Sequence, residues 1–332
     1  MPSAPRQRAT GTRRLALAAM AGLALAVAAP AAASAAAGPG VSGPIRVGTA
    51  PVGIAVNPLA NTVYVANSGS NTVSVISSRL ATHPVIATIG VGAQPREVAV
   101  NQATDTVYVS NSGSNTLSVI NSRANKVTTT IKVGQQPEGV GVDAATNTVY
   151  VANSGDNTVS VINGETGTVT TTIKVGRAPF GVAVNAAAHT TYVTNETGGT
   201  VSVINNRTSA VTTTVKVGTE PTEAAVNPAT GTVYVANFLS GTVSVIDGQS
   251  DRVIKTISVG SEPFGVAVNP LTSTGYVANN GSKTVSLFSA TTNQVTSTVT
   301  IGNGPGGAAA DSLTATAYVT NFTDGTVSVI TN

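Results

Sequence analysis

Side chains able to do acid–base, nucleophilic or metal chemistry are few in this chain. Its 332 residues contain two histidines, fourteen aspartates and glutamates, and no cysteine. A thiol nucleophile, a thiolate-bound metal and a thiol-linked lipid are therefore excluded. No Gly-x-Ser-x-Gly elbow, Walker loop or His-Glu-x-x-His run occurs. What remains is a set of carboxylates, Glu97, Glu138, Glu220, Glu223 and Glu262, interspersed with Arg96 and Arg177. Four of the five phenylalanines, Phe180, Phe238, Phe264 and Phe322, fall in similar local contexts. Aromatic faces beside carboxylates suit a cationic or sugar-like ligand. The plainer reading is that turn glutamates are solvated and that phenylalanine after proline fills a gap between packed elements.

The elements that position these residues repeat. All seven tyrosines, Tyr64, Tyr108, Tyr150, Tyr192, Tyr234, Tyr276 and Tyr318, lie in the word Tyr-Val-x-Asn, the first two 44 residues apart and the rest 42. A fixed period of that length with strand-like content marks a repeat array. In one repeat, β-branched Thr129-Thr130-Ile131-Lys132-Val133 reads as a strand. Gly139-Val140-Gly141-Val142, Thr148-Val149-Tyr150-Val151-Ala152 and Thr158-Val159-Ser160-Val161-Ile162 are three more, separated by Gly, Asn, Asp and Pro turns. Four short antiparallel strands cannot bury both faces alone. Seven such sheets set radially can, so the expected fold is an all-β, seven-bladed β-propeller. The C-terminal repeat ends after its third strand, Val327-Ser328-Val329-Ile330, while Gly43-Pro44-Ile45-Arg46-Val47 supplies an orphan strand at the other end. The N-terminal strand is expected to complete the last blade.

The repeat is also a ruler. Most blades read Val-Gly-x-x-Pro-x-Gly, but blade two has Pro95-Arg96-Glu97 and blade five Glu220-Pro221-Thr222-Glu223. Blades two and five lie nearly opposite in a seven-fold ring, so Glu97 and Glu223 are expected to face each other across the central mouth of the top face. The other charged and aromatic candidates occupy neighbouring turns and hairpin loops of that face. Five carboxylates against two guanidiniums make the mouth acidic. His83 and His189 fall in bottom-face loops about three blades apart, too far to share a metal or a triad. The recurring Asn67, Asn111, Asn153, Asn195, Asn237, Asn279 and Asn321 are expected to close hairpins by bonding their own backbone. Hairpin loops at Asp156 and Asp324 offer oxygens for calcium, but no Asp-x-Asp-x-Asp-Gly run supports it. No cofactor or metal is expected.

The first 37 residues differ from the rest. Arg6, Arg8, Arg13 and Arg14 precede an apolar run from Leu15 to Ala29, Pro30, and small residues ending Ala35-Ala36-Ala37. Basic head, apolar middle and Ala-x-Ala exit make a secretory signal, with the propeller over 38–332. Thr12-Arg13-Arg14-Leu15 also has a twin-arginine flavour, and an uncleaved anchor is the other reading of the same run. Removing the leader takes Lys plus Arg from 17 to 13 against 14 acids, a mature net charge of −1. That charge gives no reason to propose nucleic-acid binding, which needs a basic patch, and no nucleic-acid partner is expected. No later stretch is apolar for long enough to span a bilayer. The expected protein is monomeric, and secreted or held in the cell envelope.

The Tyr-Val-x-Asn word, the Val-Gly-x-x-Pro turn and the Thr-Val-Ser-Val-Ile strand, recurring over residues 43–332, together resemble the YVTN-repeat β-propeller family of bacterial exported proteins and archaeal surface layers. The resemblance implies a propeller with a binding or surface role. The leading expectation is a non-enzymatic scaffold that takes a small molecule, glycan or protein at its top face. The alternatives are an enzyme similar to lactonase or lyase propellers, whose acid, base and metal sets find no match here, and a structural cell-envelope protein.

Overall fold

The computed structural model describes residues 38–332, and the leader expected at 1–37 lies outside the described residues. Every blade is built as the first one is. Its strands are β2 (Pro51–Asn57), β3 (Thr62–Asn67), β4 (Thr72–Ser77) and β5 (Val85–Gly90), paired antiparallel in that order. Proline opens β2, where no ladder donor is needed. Val63, Tyr64, Val65 and Ala66 of β3 are all fully buried, because blades cover both faces of this strand. The hairpin between β3 and β4 ends on Asn71 at φ 55°, and the six equivalent loops also turn through the left-handed region, at Asn115, Asn157, Gly199, Gly241, Lys283 and Gly325. Asn and Gly fill six of the seven because they tolerate that conformation. Seven such four-stranded sheets make the β-propeller.

The tyrosines are the pegs between blades. Tyr64 packs with Val98, Val107 and Val109 of the second blade, and Tyr192 with Val233, Val235 and Ile246 of the fifth. All seven are at most 1% exposed, and burying each contributes on the order of 2–3 kcal/mol. Several also spend their hydroxyls across the joint: Tyr192 donates to Asp251 Oδ1 at 3.2 Å and Tyr234 to Asn293 Oδ1 at 3.2 Å. Tyr318, from the seventh blade, packs on Ile54, Val63, Val65 and Ile76 of the first. Thr320 Oγ1 donates to the Val52 carbonyl at 2.8 Å across the same joint.

The seventh blade holds β26 (Pro305–Ala310), β27 (Thr316–Asn321) and β28 (Thr326–Thr331). Its outermost strand is β1 (Gly40–Arg46), antiparallel to β28 with Gly40 opposite Thr331 and Arg46 opposite Thr326. Gly40 and Asn332 therefore lie at the bottom of this blade. Asn332 is fixed there by bonds to the Ala315 carbonyl and to Thr274 Oγ1 of the sixth blade.

The asparagine ring differs from the sequence expectation. Asn67 does not bond its own hairpin backbone. Its Oδ1 accepts the Gly48 N–H at 3.1 Å, from the turn that leads into β2, and its Nδ2 donates to Thr72 Oγ1 and Ser74 Oγ. Asn237 repeats all three bonds at Gly218, Thr242 and Ser244. In four blades, at Asn67, Asn153, Asn237 and Asn279, the amide staples the inner turn to the third strand; Asn111, Asn195 and Asn321 keep only the bonds to the third strand. Each amide is completely buried, since the hairpin folds over it. This gives the top face rigid turns, on which the variable residues stand.

Candidate functional site

Two sets of segments form the top face. The inner turn Gly48–Ala50 and the β3–β4 hairpin meet through Ser68 N–H to Ala50 O at 2.9 Å, and the pattern recurs around the ring. Two positions vary most. The residue after the turn proline is Val52, Arg96, Glu138, Phe180, Thr222, Phe264 or Gly306. The residue after the Tyr-Val-x-Asn word is Ser68, Ser112, Ser154, Glu196, Phe238, Asn280 or Phe322. Stacked on identical frames, these residues make a face with an apolar side and a charged side.

On the apolar side, Phe238, Phe264 and Phe322 surround a cup of about 290 Å³, closed by Val52, Arg96 and Asn280. Phe264 meets Phe238 edge-to-face at 6.5 Å and Phe180 edge-to-face at 5.5 Å. Phe180 is 8% exposed, whereas Phe322 at 44% stands free at its hairpin tip. Phe180 therefore backs Phe264 from outside the cup, and Phe322 forms part of its wall. Asn280 Nδ2 is held by the Pro305 carbonyl at 3.0 Å. Its amide oxygen remains an acceptor in a cup that Arg96 also lines.

On the charged side, Arg96 Nε donates to Glu138 Oε2 at 2.6 Å. Ser112 Oγ donates to Glu138 Oε1 at 3.2 Å, and Ser110 Oγ donates to the Glu138 carbonyl. This pair, with Phe180 and Val52, closes the mouth above Glu97 and Glu223. Glu196 lies on a short turn, Glu196–Gly198, next to Glu220. Burial pushes its carboxyl up, the charges of Glu220 and Glu138 add to the rise, and Arg96 opposes it.

Glu97 and Glu223 lie one layer deeper than the mouth at which the sequence places them. Both line a channel chamber of about 130 Å³ with Ile54, Val140, Val182 and Val266. They reach it because the glycine ahead of each leaves space. A methyl group at Gly53 would sit 2.9 Å from the Glu97 carboxyl carbon, and one at Gly181 would sit 3.0 Å from Glu223 Oε2. Glu97 Oε1 accepts the Val98 N–H at 3.0 Å. Water touches both side chains, but protein surrounds them. Burial pushes Glu97 well above the carboxylate range, and the charge of Glu223 pushes it further. Glu223 is pushed up to about 7, first by burial and then by Glu138, with Arg96 opposing. Both carboxyls therefore hold their protons more tightly than an ordinary carboxylate does.

The structure thus brings together Arg96 with Glu138, Glu97 with Glu223, and Phe180, Phe238, Phe264 and Phe322. Arg177 and Glu262 are exposed on the outer part of the face, and among the described residues Arg177 forms no ion pair. Sequence reasoning missed Glu196 and Asn280. Their signal was available: they occupy the position that holds serine in the first three blades and Phe238 and Phe322 elsewhere. Asp156 and Asp324 are spent on the Gln135 and Asn303 N–H groups at 2.7 Å. Among the described residues, no three His, Cys, Asp or Glu side chains gather as metal ligands. His83 rests edge-on against Tyr318 at 5.7 Å, on the bottom face.

Comparison with known proteins supports the fold in two halves. Residues 181–330 match the family model of YNCE-like β-propellers, and residues 48–185 match that of the lactonase 7-bladed β-propellers. Among curated proteins, none matches this chain. A chain of the hydrazine synthase of Kuenenia stuttgartiensis is similar in structure, with a TM-score of 0.76 and 20% identity over 85% of this chain and 96% of that one. At that identity the likeness concerns the fold alone.

Proposed function

We propose that this propeller is an exported binding scaffold of the YVTN type that takes a ligand or partner group at its top face. The aromatic cup carries the reading. Four of the five phenylalanines stand on loops or strand ends of one face, where a folding requirement alone would be met by the valine, threonine or glycine of the equivalent blades. At about 290 Å³ the cup sits at the small end of ligand pockets. It suits one ring, a pyranose face or an aromatic side chain, with hydroxyl or amide groups bonded to Arg96 and Asn280. The carboxylates Glu196 and Glu220 favour a cationic substituent on the charged side. The basic, apolar and Ala-x-Ala order of residues 1–37 supports action outside the cytoplasmic membrane.

A thermal-shift screen of sugars, aromatic-tipped peptides and divalent ions tests this, since a ligand of the native ring alone must raise its melting point. The F238A/F264A variant should melt as a folded protein and lose any shift. A shift that persists unchanged in that variant rejects the cup as the site.

A second reading rests on the channel pair. Two carboxyls of raised proton affinity lining one chamber supply the acid and base that opening a lactone requires, and residues 48–185, which include Glu97, match a lactonase model. Lactone hydrolysis that disappears in E223Q while the fold persists would move the assignment to an enzyme.

A further inference from the structure

The bottom rim between the second and third blades holds a cavity of about 360 Å³, away from the top face. It exists because one repeat position is glycine. In the fourth and fifth blades the tyrosine hydroxyl donates to a side chain 59 residues later, on the loop between the third and fourth strands of the next blade. Tyr192 donates to Asp251 Oδ1 and Tyr234 to Asn293 Oδ1, both at 3.2 Å. A carbonyl of the same loop adds a second bond, at Gly248 and at Ala290. The residue at the same distance from Tyr108 is Gly167, which has no side chain to offer. Among the described residues the buried Tyr108 hydroxyl has no hydrogen-bond partner. Tyr276 shares that condition for a different reason: the seventh blade has no such loop, because its outer strand enters from the N-terminal side.

Burial pushes the Tyr108 phenol above its ordinary value, so the group stays protonated and has a donor to place. The space where the missing side chain would stand is open. Apart from its chain neighbours, a methyl group at Gly167 would meet only Ile131 Cδ1, at an ordinary 3.7 Å. Tyr108 and Gly167 line the cavity together with the hydroxyls of Thr106, Thr129 and Thr166, and Glu165 stands exposed at its rim.

We propose that this cavity binds one N-acetylated amino sugar, whose acetamido oxygen accepts the Tyr108 proton as Asn293 accepts that of Tyr234. The protein itself shows what fits, since an amide on a one-carbon arm fills the equivalent space in the sixth blade. A carboxylate does the same at Asp251, but here the one charged group in the lining is Glu165, which repels an anion and favours a neutral amide. Threonine hydroxyls both donate and accept, which suits the ring hydroxyls of a sugar. At about 360 Å³ the cavity lies at the small end of ligand pockets, enough for a single pyranose with its acetamido group. The site stands apart from the aromatic cup and does not depend on it.

Isothermal titration calorimetry with N-acetylglucosamine and glucose tests this. N-acetylglucosamine should bind at one site, and glucose, which lacks the amide, about tenfold more weakly. Gly167→Asn places the side chain of Asn293 on a similar left-handed backbone, φ 67° against 54°, which asparagine tolerates. That variant should melt about 2 °C higher, because the Tyr108 bond is restored, and should bind no sugar. Tyr108→Phe removes the donor without filling the cavity. It should keep the melting temperature and bind N-acetylglucosamine about tenfold more weakly. No binding at millimolar sugar, equal affinity for glucose, or binding that survives in folded Gly167→Asn overturns the proposal. Binding lost in F238A/F264A and kept in full by Tyr108→Phe also overturns it and assigns the sugar to the cup.

Discussion

Replacing Glu97 and Glu223 with glutamine is expected to stabilise the ring at alkaline pH and leave it unchanged in acid. The cause is the raised proton affinity of the pair in the fold. Below the ordinary carboxylate value of 4.5, folded and unfolded chains both hold the Glu223 proton, and the residue contributes nothing to pH dependence. As pH rises, the unfolded chain releases its proton first. The folded chain then binds more protons than the unfolded one, so stability falls with pH. The fall ends near the folded value of about 7, above which both states are ionised and the penalty is constant. A rise from 4.5 to about 7, at ~1.36 kcal/mol per unit, is about 3 kcal/mol. Glu97 acts with the same sign.

Glutamine keeps the shape, and its Oε1 can still accept the Val98 N–H, while the charge is lost. Unfolding entropy of ~2.1 cal/mol/K per residue over roughly 300 residues converts ~3 kcal/mol into ~5 °C of melting temperature. Differential scanning calorimetry of both proteins from pH 4.5 to 8.5 provides the assay. The two curves should coincide near pH 4.5, and the variant should lead by about 5 °C at pH 8 and above. Parallel pH profiles would refute the coupled, buried placement of the pair, and a variant less stable at every pH would show that the carboxylates are net stabilising.

Three further outcomes follow from the frame. A chain beginning at Gly48, lacking β1, leaves the edge of β28 bare and should melt far lower and self-associate; an unchanged melting temperature in calorimetry would refute closure by this strand. Tyr318→Ala opens the joint between the seventh and first blades and should cost about 3–5 kcal/mol by denaturant titration. Asn237→Ala strands the Gly218 N–H and the Thr242 and Ser244 hydroxyls and should cost about 2–3 kcal/mol, with Asn237→Asp recovering only part.

The propeller was legible in the sequence because each strand carries its own burial pattern. Val-Tyr-Val-Ala is apolar on both faces, which only a strand covered on both sides requires, and its recurrence at one period leaves few arrangements. The site was half legible. Departures from the repeat pointed to Arg96, Glu97, Glu223 and the phenylalanines, since a residue that breaks an internal pattern is not explained by the frame. Depth was hidden. Whether a turn glutamate points to solvent or into the channel depends on the backbone of the preceding blade, which is distant in sequence. Glu196 was passed over for the same reason: a carboxylate on a hairpin tip looks solvated until Glu220 and Glu138 are placed beside it. The role of the asparagines was misread because their partners lie in another turn, 19 residues earlier at Gly48 and Asn67.

The deeper rule concerns which blades can carry the carboxylates. The second position after the turn proline is glycine in five blades, because the backbone of the following blade comes so close. A methyl group at Gly53 would stand 2.6 Å from Glu97 Cα, and one at Gly181 would stand 2.6 Å from the Thr222 carbonyl oxygen. A glutamate at this position bends over the glycine of the blade before it. Glu97 follows Gly53, and Glu223 follows Gly181. The two sit three blades apart, the largest separation that seven blades allow, and still share one chamber because the inner strands converge on the axis. The narrow channel, which both side chains line, sets their coupling. A pair of buried acids of raised proton affinity is thus built from a repeat whose other five blades keep the same glycine.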